Sequence, residues 1–85
     1  MSVEENNRMK LVVLAFGPLA ERLGWRKSEI DIAVSSTVND VLTHLGIEAH
    51  RSGALMVAVN GQQCEYTHQL SNTDELALLP PVSGG

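Results

Sequence analysis

The chain has 85 residues, a formal net charge of −4 and an apolar fraction of 44%. These values predict one small globular domain, exclude a disordered chain and show no basic face of the kind that nucleic-acid binding needs. A single cysteine excludes an internal disulfide. Without a signal peptide or a run of about 18 apolar residues, we expect a cytoplasmic protein that does not enter a membrane.

The N-terminal third predicts a strand and then a short helix. Residues 1–8 are polar and lack periodicity, so we expect a disordered extension before a fold that begins at Met9. The apolar run at residues 10–16 predicts a strand with neighbours at both edges, because apolar side chains face both sides of it. In residues 18–24, proline suits a first helical turn and glycine suits a C-terminal cap, which predicts one or two turns of helix.

The middle of the chain predicts a half-exposed strand followed by the main helix. Residues 28–34 alternate and place Val34 with two isoleucines on the inward side. One of the hydroxyls in residues 35–37 is expected to cap the helix, and Gly46 is expected to end it. The apolar stripe of this helix, at i, i+3, i+4 and i+7, consists of Val38, Val41, Leu42 and Leu45.

The last third predicts a hairpin and a final strand. Residues 55–59 form the first strand of the hairpin, and residues 62–66 return as a short one. Between them, Asn60-Gly61 is the strongest hairpin signal in the chain because both residues tolerate a positive φ. Leu70 is expected to anchor the turn-rich stretch that follows, and residues 75–79 form the last strand.

This order of elements predicts an α+β fold. A mixed sheet of four to five strands is expected to curl around the main helix, in a domain that spans residues 9–79. One helix covers only one face of a sheet. The other face is therefore expected to expose an apolar patch that contains Phe16 and Leu79, and such patches often mark partner sites.

Residues 80–85 are predicted to leave the domain as an extended tail. Two prolines end the pairing of the last strand, because proline has no N–H for the ladder and fixes φ. Six residues at roughly 3.3 Å each reach about 20 Å, far enough to place the terminal carboxylate in the active site of another protein. The tail consists of Pro80, Pro81, Val82, Ser83, Gly84 and Gly85.

No group of side chains predicts a catalytic or metal site within the chain. Cys64 has no evident base beside it, and a catalytic role is not expected. The histidines His44, His50 and His68 lack a local metal-binding spacing, and His44 is expected to be exposed. The pair Asp74-Glu75 is interpreted as turn chemistry. No glycine-rich phosphate loop or nucleophile motif is present.

The remaining reactive group is the terminal carboxylate of Gly85. An α-carboxyl group has a pKa of about 3.3–3.7 and is ionised at neutral pH. It can attack the α-phosphate of ATP held by another enzyme, and the resulting acyl-adenylate can accept sulfur or an amine. Gly84 and Gly85 suit this reaction because they can pass through a narrow channel in which any Cβ would collide.

Three stretches carry a resemblance to a known family. They are Leu14-Ala15-Phe16 followed by Leu23-Gly24, then Ala58-Val59-Asn60, and above all the C-terminal string Asp-Glu-Leu-Ala-Leu-Leu-Pro-Pro-Val-Ser-Gly-Gly. From about Met9 to Gly85 the chain resembles the small, sulfur-carrying subunits of molybdopterin synthase. These form a MoaD/ThiS-like family within the ubiquitin-like β-grasp superfamily. A terminal Gly-Gly alone is weak evidence for this family, whereas the full C-terminal string is specific to it.

The resemblance implies a β-grasp fold and a sulfur-carrying role. An E1-like enzyme would adenylate Gly85 with ATP, and a sulfurtransferase would supply the sulfur that converts the adenylate into a thiocarboxylate. The tail would enter the large synthase subunit, in a heterotetramer, and donate sulfur to cyclic pyranopterin monophosphate to form molybdopterin. By position, Phe16 and Leu79 would contact these partners. The chain itself would bind no cofactor and no metal.

Other roles remain open from the sequence. The chain could carry sulfur for thiazole synthesis, although carriers of that kind generally lack the Pro-Pro-Val-Ser-Gly-Gly approach. It could be a ubiquitin-like modifier whose activated end is transferred to an amine. It could also be a β-grasp interaction module whose terminus does no chemistry.

Overall fold

Five strands and two short helices make up the part of the chain that the structure describes. The structure is a computed structural model, and it describes residues 7–47 and 55–81. Each described helix is seven residues long, too short to cross a membrane. The elements are β1 (Arg8–Ala15), α1 (Gly17–Leu23), β2 (Lys27–Ala33), α2 (Val38–His44), β3 (Met56–Val59), β4 (Gln62–Cys64) and β5 (Glu75–Leu79).

The strands form one mixed sheet in the order β2-β1-β5-β3-β4. β1 pairs antiparallel with β2 and parallel with β5, whereas β3 pairs antiparallel with both β5 and β4. The first and last strands of the chain are therefore neighbours inside the sheet. The predicted α+β fold class is confirmed, and β1 has a neighbour at each edge as its two apolar faces predict.

The core lies between one face of this sheet and the two helices. Alternate residues of β1 and β5 point to that face, and both helices contribute side chains to the same cluster. Leu70, the predicted anchor of the long turn, is 3% exposed and belongs to it. The most deeply buried large side chains are Leu11, Leu76, Leu78, Val13, Val38, Val41 and Val57.

A capping box fixes the start of α2. The Thr37 hydroxyl accepts a hydrogen bond from the Asp40 N–H at 3.3 Å, and the Asp40 carboxylate accepts one from the Thr37 N–H at 2.8 Å. This arrangement satisfies two donors that the first helical turn would otherwise leave unpaired. The predicted hydroxyl cap is confirmed, and Thr37 provides it. At the other end, Gly46 has a φ of 75° and turns the chain away, as expected.

The first two strands differ in their bounds from the predictions. β1 begins at Arg8, within the stretch predicted to precede the fold, because the ladder with β2 continues to the pair Arg8 and Ala33. The Arg8 guanidinium also donates to the Asp31 carbonyl at 3.0 Å. Residues 1–6 lie outside the described residues. Val34, predicted to point inward, is exposed because β2 ends one residue earlier and Ser35, with a φ of 70°, turns the chain.

The hairpin between β3 and β4 follows the prediction closely. Asn60 and Gly61 have φ values of 52° and 86°, the two consecutive positive values that a two-residue type I′ turn requires. β4 is shorter than predicted and ends at Cys64. Tyr66, placed in that strand by the sequence, lies beyond it, and its hydroxyl donates to the Leu55 carbonyl.

Replacing Thr37 with alanine is expected to lower the free energy of unfolding by about 1 kcal/mol, because the Asp40 N–H loses its acceptor. Urea denaturation followed by circular dichroism measures this loss. Thr43→Ala is the matched control, since Thr43 is exposed on the same helix and only its backbone, not its side chain, takes part in a capping bond. We expect that control to leave stability unchanged or slightly raised. Equal losses in the two variants would contradict a role for the capping box.

Candidate functional site at the root of the C-terminal tail

The tail leaves the domain from β5, the central strand of the sheet. β5 is hydrogen-bonded to β1 on one side and to β3 on the other. Its inward side chains, Leu76 and Leu78, have no exposed surface. Movement of β5 would therefore disrupt both halves of the sheet and the core together, so this strand gives the tail a fixed origin.

The start of β5 is tied to the hairpin by the side chain of Asn60. Its amide donates to the Asp74 carboxylate at 2.9 Å, and its carbonyl oxygen accepts from the Glu75 N–H at 3.0 Å. Asp74 also accepts from the Ser71 N–H at 2.8 Å, which confirms its interpretation as a turn residue. The sequence predicted Asn60 only as a turn former. Its second role depends on β3 and β5 being neighbours, and no local pattern shows that.

The turn before β5 contains a strained residue. Thr73 has a φ of 70°, a conformation that β-branched side chains rarely adopt. Hydrogen bonds to β1 hold it there. The Thr73 N–H donates to the Lys10 carbonyl at 2.7 Å, and the Lys10 N–H donates to the Asn72 side chain at 2.9 Å. The turn therefore sets the position of β5 at a cost in backbone strain.

The end of β5 is held against α1. β5 stops at Leu79, as the proline pair predicts. Pro80 is half-buried, and a Cβ placed on Gly17 would lie 3.9 Å from the Pro80 ring. A groove of about 230 Å³ runs beside this contact. It is lined by Pro18, Leu19, Arg22, Ile47, Leu55, Pro80 and Pro81.

The position of the proline pair beside the groove bears on the predicted reach of the tail. The sequence predicted a reach of about 20 Å from six residues. Pro80 and Pro81 line the groove, so two of those six residues belong to its wall, and the other four would span about 13 Å when fully extended. Val82, Ser83, Gly84 and Gly85 lie outside the described residues.

The sheet face opposite the helices carries an apolar patch beside the root of the tail. We call it the open-face patch. The predicted Phe16 and Leu79 lie there, with Phe16 45% exposed and Leu79 half-buried. Met56, which the sequence did not single out, pairs directly with Leu79 and is 46% exposed. The alternation of β3 could have indicated it. The members of the patch are Leu14, Phe16, Met56, Ala77 and Leu79.

A comparison with protein families decides what kind of chain this is. The sequence profile of the ThiS family matches residues 13–85. The chain belongs to the ThiS family. The match takes in the open-face patch, both sides of the α1 groove and the whole tail, so every part of the candidate site lies within this ThiS-family domain.

Two relatives are each about one-third identical in sequence to this ThiS-family chain. The molybdopterin synthase sulfur carrier subunit of Escherichia coli is 33% identical over 79 residues, which cover 86% of this chain and 96% of the relative. Small archaeal modifier protein 1 of Haloferax volcanii is 34% identical over 82 residues, which cover 82% and 94% of the two chains. The carrier family predicted from the C-terminal string is thus confirmed.

Solved structures confirm the ubiquitin-like β-grasp fold. The crystal structure of the Haloferax volcanii modifier superposes with a TM-score of 0.74 at 30% identity, covering 89% of this chain and 99% of that one. Subunits 1 and 2 of the molybdopterin-converting factor of Helicobacter pylori were solved as a complex. A chain of that complex matches with a TM-score of 0.60 at 23% identity, covering 91% of this chain and 100% of its own length. That second likeness supports the fold alone.

The side chains outside the tail root form no reactive cluster in residues 7–47 and 55–81. Cys64 is half-buried against the core, and burial, with a smaller effect from the Glu65 carboxylate, raises the pKa of its thiol. A raised pKa disfavours the nucleophilic thiolate. His44 and His68 are exposed, and no three metal-ligating side chains converge within the described ranges. His50 lies outside them.

Replacing Thr73 with glycine is expected to raise the free energy of unfolding by up to about 1 kcal/mol. Relief of the positive-φ strain outweighs the extra chain entropy that glycine brings to the unfolded state. Urea denaturation measures the gain. Thr67→Gly is the control, since Thr67 lies in a neighbouring exposed turn without a positive φ and only the entropic loss is expected there. A loss of stability in both variants would contradict the strain at Thr73.

Proposed function

We propose that this chain is a sulfur carrier in molybdenum cofactor biosynthesis and that Gly85 carries the sulfur. The observation that supports this most is the fixed end of β5, where Pro80 lies beside Gly17 of α1 and the sequence continues to Ser83, Gly84 and Gly85. A partner protein can then bind the folded domain while the reactive C-terminus lies in the active site of that partner. The 33% identity to the Escherichia coli sulfur carrier subunit supports the same role.

The first step of the proposed reaction is activation of the C-terminus. The ionised Gly85 carboxylate attacks the α-phosphate of ATP bound to an E1-like enzyme, so that an acyl-adenylate forms and pyrophosphate leaves. A sulfide equivalent from a sulfurtransferase then displaces AMP and leaves a thiocarboxylate. ATP is bound by the activating enzyme, and the carrier needs no cofactor or metal of its own.

The second step is sulfur transfer inside the large subunit of molybdopterin synthase. The tail enters the active site and its thiocarboxylate donates sulfur to cyclic pyranopterin monophosphate. In each transfer a C–S bond replaces a C–O bond of the substrate, and water then cleaves the acyl–sulfur bond, so that its oxygen returns the carrier to the carboxylate form. Two such transfers build the dithiolene of molybdopterin. In a heterotetramer of two small and two large subunits, each carrier serves one active site. We expect the carrier to meet these partners in the cytoplasm.

The small side chains of the tail fit this route. Gly84 and Gly85 lack a Cβ, and Ser83 is the next smallest residue, so the backbone can pass through a narrow channel. The span of about 13 Å beyond Pro81 sets how far from the carrier surface the reacting atoms can lie. The partner must therefore contact the domain closely, and the open-face patch, with Phe16 and Leu79, is the apolar surface next to that point.

A second role, as a protein modifier, is supported by the 34% identity to small archaeal modifier protein 1. Its chemistry begins with the same adenylate and differs only in the acceptor, which is an amine in place of sulfur. A carrier for thiazole synthesis would form the same thiocarboxylate and deliver it to a different enzyme. A non-reactive interaction module would form neither product.

Mass spectrometry after incubation with an E1-like enzyme, ATP and a sulfur donor tests the proposal. A carrier exchanges one oxygen for one sulfur at Gly85, and a modifier joins a target protein through an amide. An unchanged mass supports the interaction module. Oxidation of a methionine adds nearly the same mass as this exchange. Fragmentation of the C-terminal peptide must therefore locate the change at Gly85.

Removing Gly85, or adding one residue after it, is expected to abolish molybdopterin formation in a reconstituted synthase assay. Both changes displace the carboxylate from the point of activation. The melting temperature is expected to stay the same, because the core is complete without the tail. Ser83→Ala, which keeps the length, is the control and should retain activity. Full synthesis by either altered chain would show that Gly85 does not carry the sulfur.

Replacing Leu79 with aspartate is expected to weaken binding to the large subunit at least about tenfold, because a charge would replace an apolar contact in the interface. Leu79 is only half-buried, so the melting temperature should fall by only a few degrees. Leu78→Asp is the contrasting variant, since that neighbour is fully buried and should not tolerate a charge. Calorimetric titration and thermal unfolding separate the two effects. Similar unfolding of both variants would assign Leu79 to the core.

A further inference from the structure

We infer that Met56 is a modification site at which peroxide oxidation switches off partner binding by the carrier. The inference rests on the proposed function, because it requires the open-face patch to be the surface that partners cover. Three features of the molecule carry it: the exposure of Met56, its position beside Leu79, and the protection of the other sulfur atoms of the described chain.

Met56 is accessible to small oxidants. It is the first residue of β3, points away from the helices and is 46% exposed. Met9, on the opposite face of the sheet, is 3% exposed. Thioether oxidation needs direct contact between sulfur and peroxide, so exposure sets the relative rates. In the native domain, Met56 should react well before Met9.

Cys64 does not compete effectively for the oxidant. Its thiol is half-buried against the core, on the face of the sheet that the helices cover, where its strand partner is Val57. Peroxide reacts with the thiolate, and the burial that raises the pKa of this thiol keeps the thiolate scarce. Among the sulfur atoms of residues 7–47 and 55–81, the exposed thioether of Met56 is therefore the one that first meets the oxidant.

The position of Met56 couples its oxidation to partner binding. Met56 lies directly across from Leu79, the residue immediately before Pro80 and the root of the tail. A partner that takes up the tail must cover this pair. Oxidation forms an S=O bond as the peroxide O–O bond breaks, so the thioether sulfur loses two electrons and peroxide is reduced to water. The apolar patch then carries a strong polar acceptor directly beside Leu79.

Burial of this sulfoxide against an apolar partner surface leaves its oxygen without a hydrogen bond. A penalty of that kind corresponds to a loss of affinity of about tenfold or more. The fold should tolerate the change, because Met56 is not part of the core cluster. Methionine sulfoxide reductases, which use thiols to return the sulfoxide to a thioether and water, would restore binding. The site would then stop sulfur transfer during oxidative stress and allow it to resume.

The experiment treats the whole carrier with hydrogen peroxide and measures its affinity for the molybdopterin synthase large subunit before and after treatment. Trypsin cleaves after Arg8, Lys10 and Arg51, so the three methionines fall in three different peptides, and fragmentation separates Met56 from Cys64. We expect Met56 to be oxidised before Met9, affinity to fall at least about tenfold, and reductases of both stereospecificities to restore it.

Two variants separate the switch from general oxidative damage. Met56→Leu keeps an apolar side chain without sulfur, so its affinity should resist peroxide. Met56→Gln introduces a polar oxygen without oxidation and should bind at least about tenfold more weakly, with a melting temperature close to that of the unmodified chain. A Cys64→Ser background shows that the thiol is not the origin of the effect.

Equal affinity of the oxidised and reduced carriers, or oxidation of Met9 before Met56, would overturn the switch and leave the sulfur-carrier proposal intact. A loss of affinity in peroxide-treated Met56→Leu would also overturn it, because another residue would then be responsible. Failure of the untreated carrier to bind the large subunit would overturn both proposals. The untreated measurement therefore comes first and distinguishes the two failures.

Discussion

The parallel pairing of β1 with β5 is the constraint on which the rest of this structure depends. It places Val13 opposite Leu76 and Ala15 opposite Leu78, so that the two ends of the domain meet through buried side chains. This pairing uses the backbone N–H and C=O groups of only one edge of each strand. The groups on the other edge bond to β2 in the case of β1 and to β3 in the case of β5. Since β5 also leads into the tail, the pairing that closes the fold also fixes the direction in which the tail departs.

Side chains along β5 point alternately to the core and to the open face, so its five residues contribute to two different surfaces. Leu76 and Leu78 point into the core, whereas Ala77 and Leu79 point to the open face. A sheet with both helices on one side has no described element to cover the other. Polar side chains on that face would make a free-standing domain more soluble. The apolar residues found there instead are typical of a surface that binds another protein for part of the time.

The chemistry proposed for this chain would take place outside its folded body. Burial of Cys64 raises the pKa of its thiol, and the proline pair borders the groove beside α1. In the proposed reaction the partners would supply ATP, sulfur and substrate. The folded domain would provide a rigid origin for the tail and an apolar surface for partner binding.

The sequence by itself determined the elements, because each depends on neighbours within a few residues. Periodicity located the strands and the apolar stripe of α2. Local motifs predicted a hydroxyl cap within residues 35–37, the hairpin at Asn60-Gly61 and the end of β5 at the proline pair. The structure then identified Thr37 as the cap. Tertiary structure alone decided the strand order, the link from Asn60 to Asp74 and the pairing of Met56 with Leu79. These features depend on which distant segments become neighbours, and strand pairing, unlike turn chemistry or periodicity, leaves no local pattern from which that can be deduced.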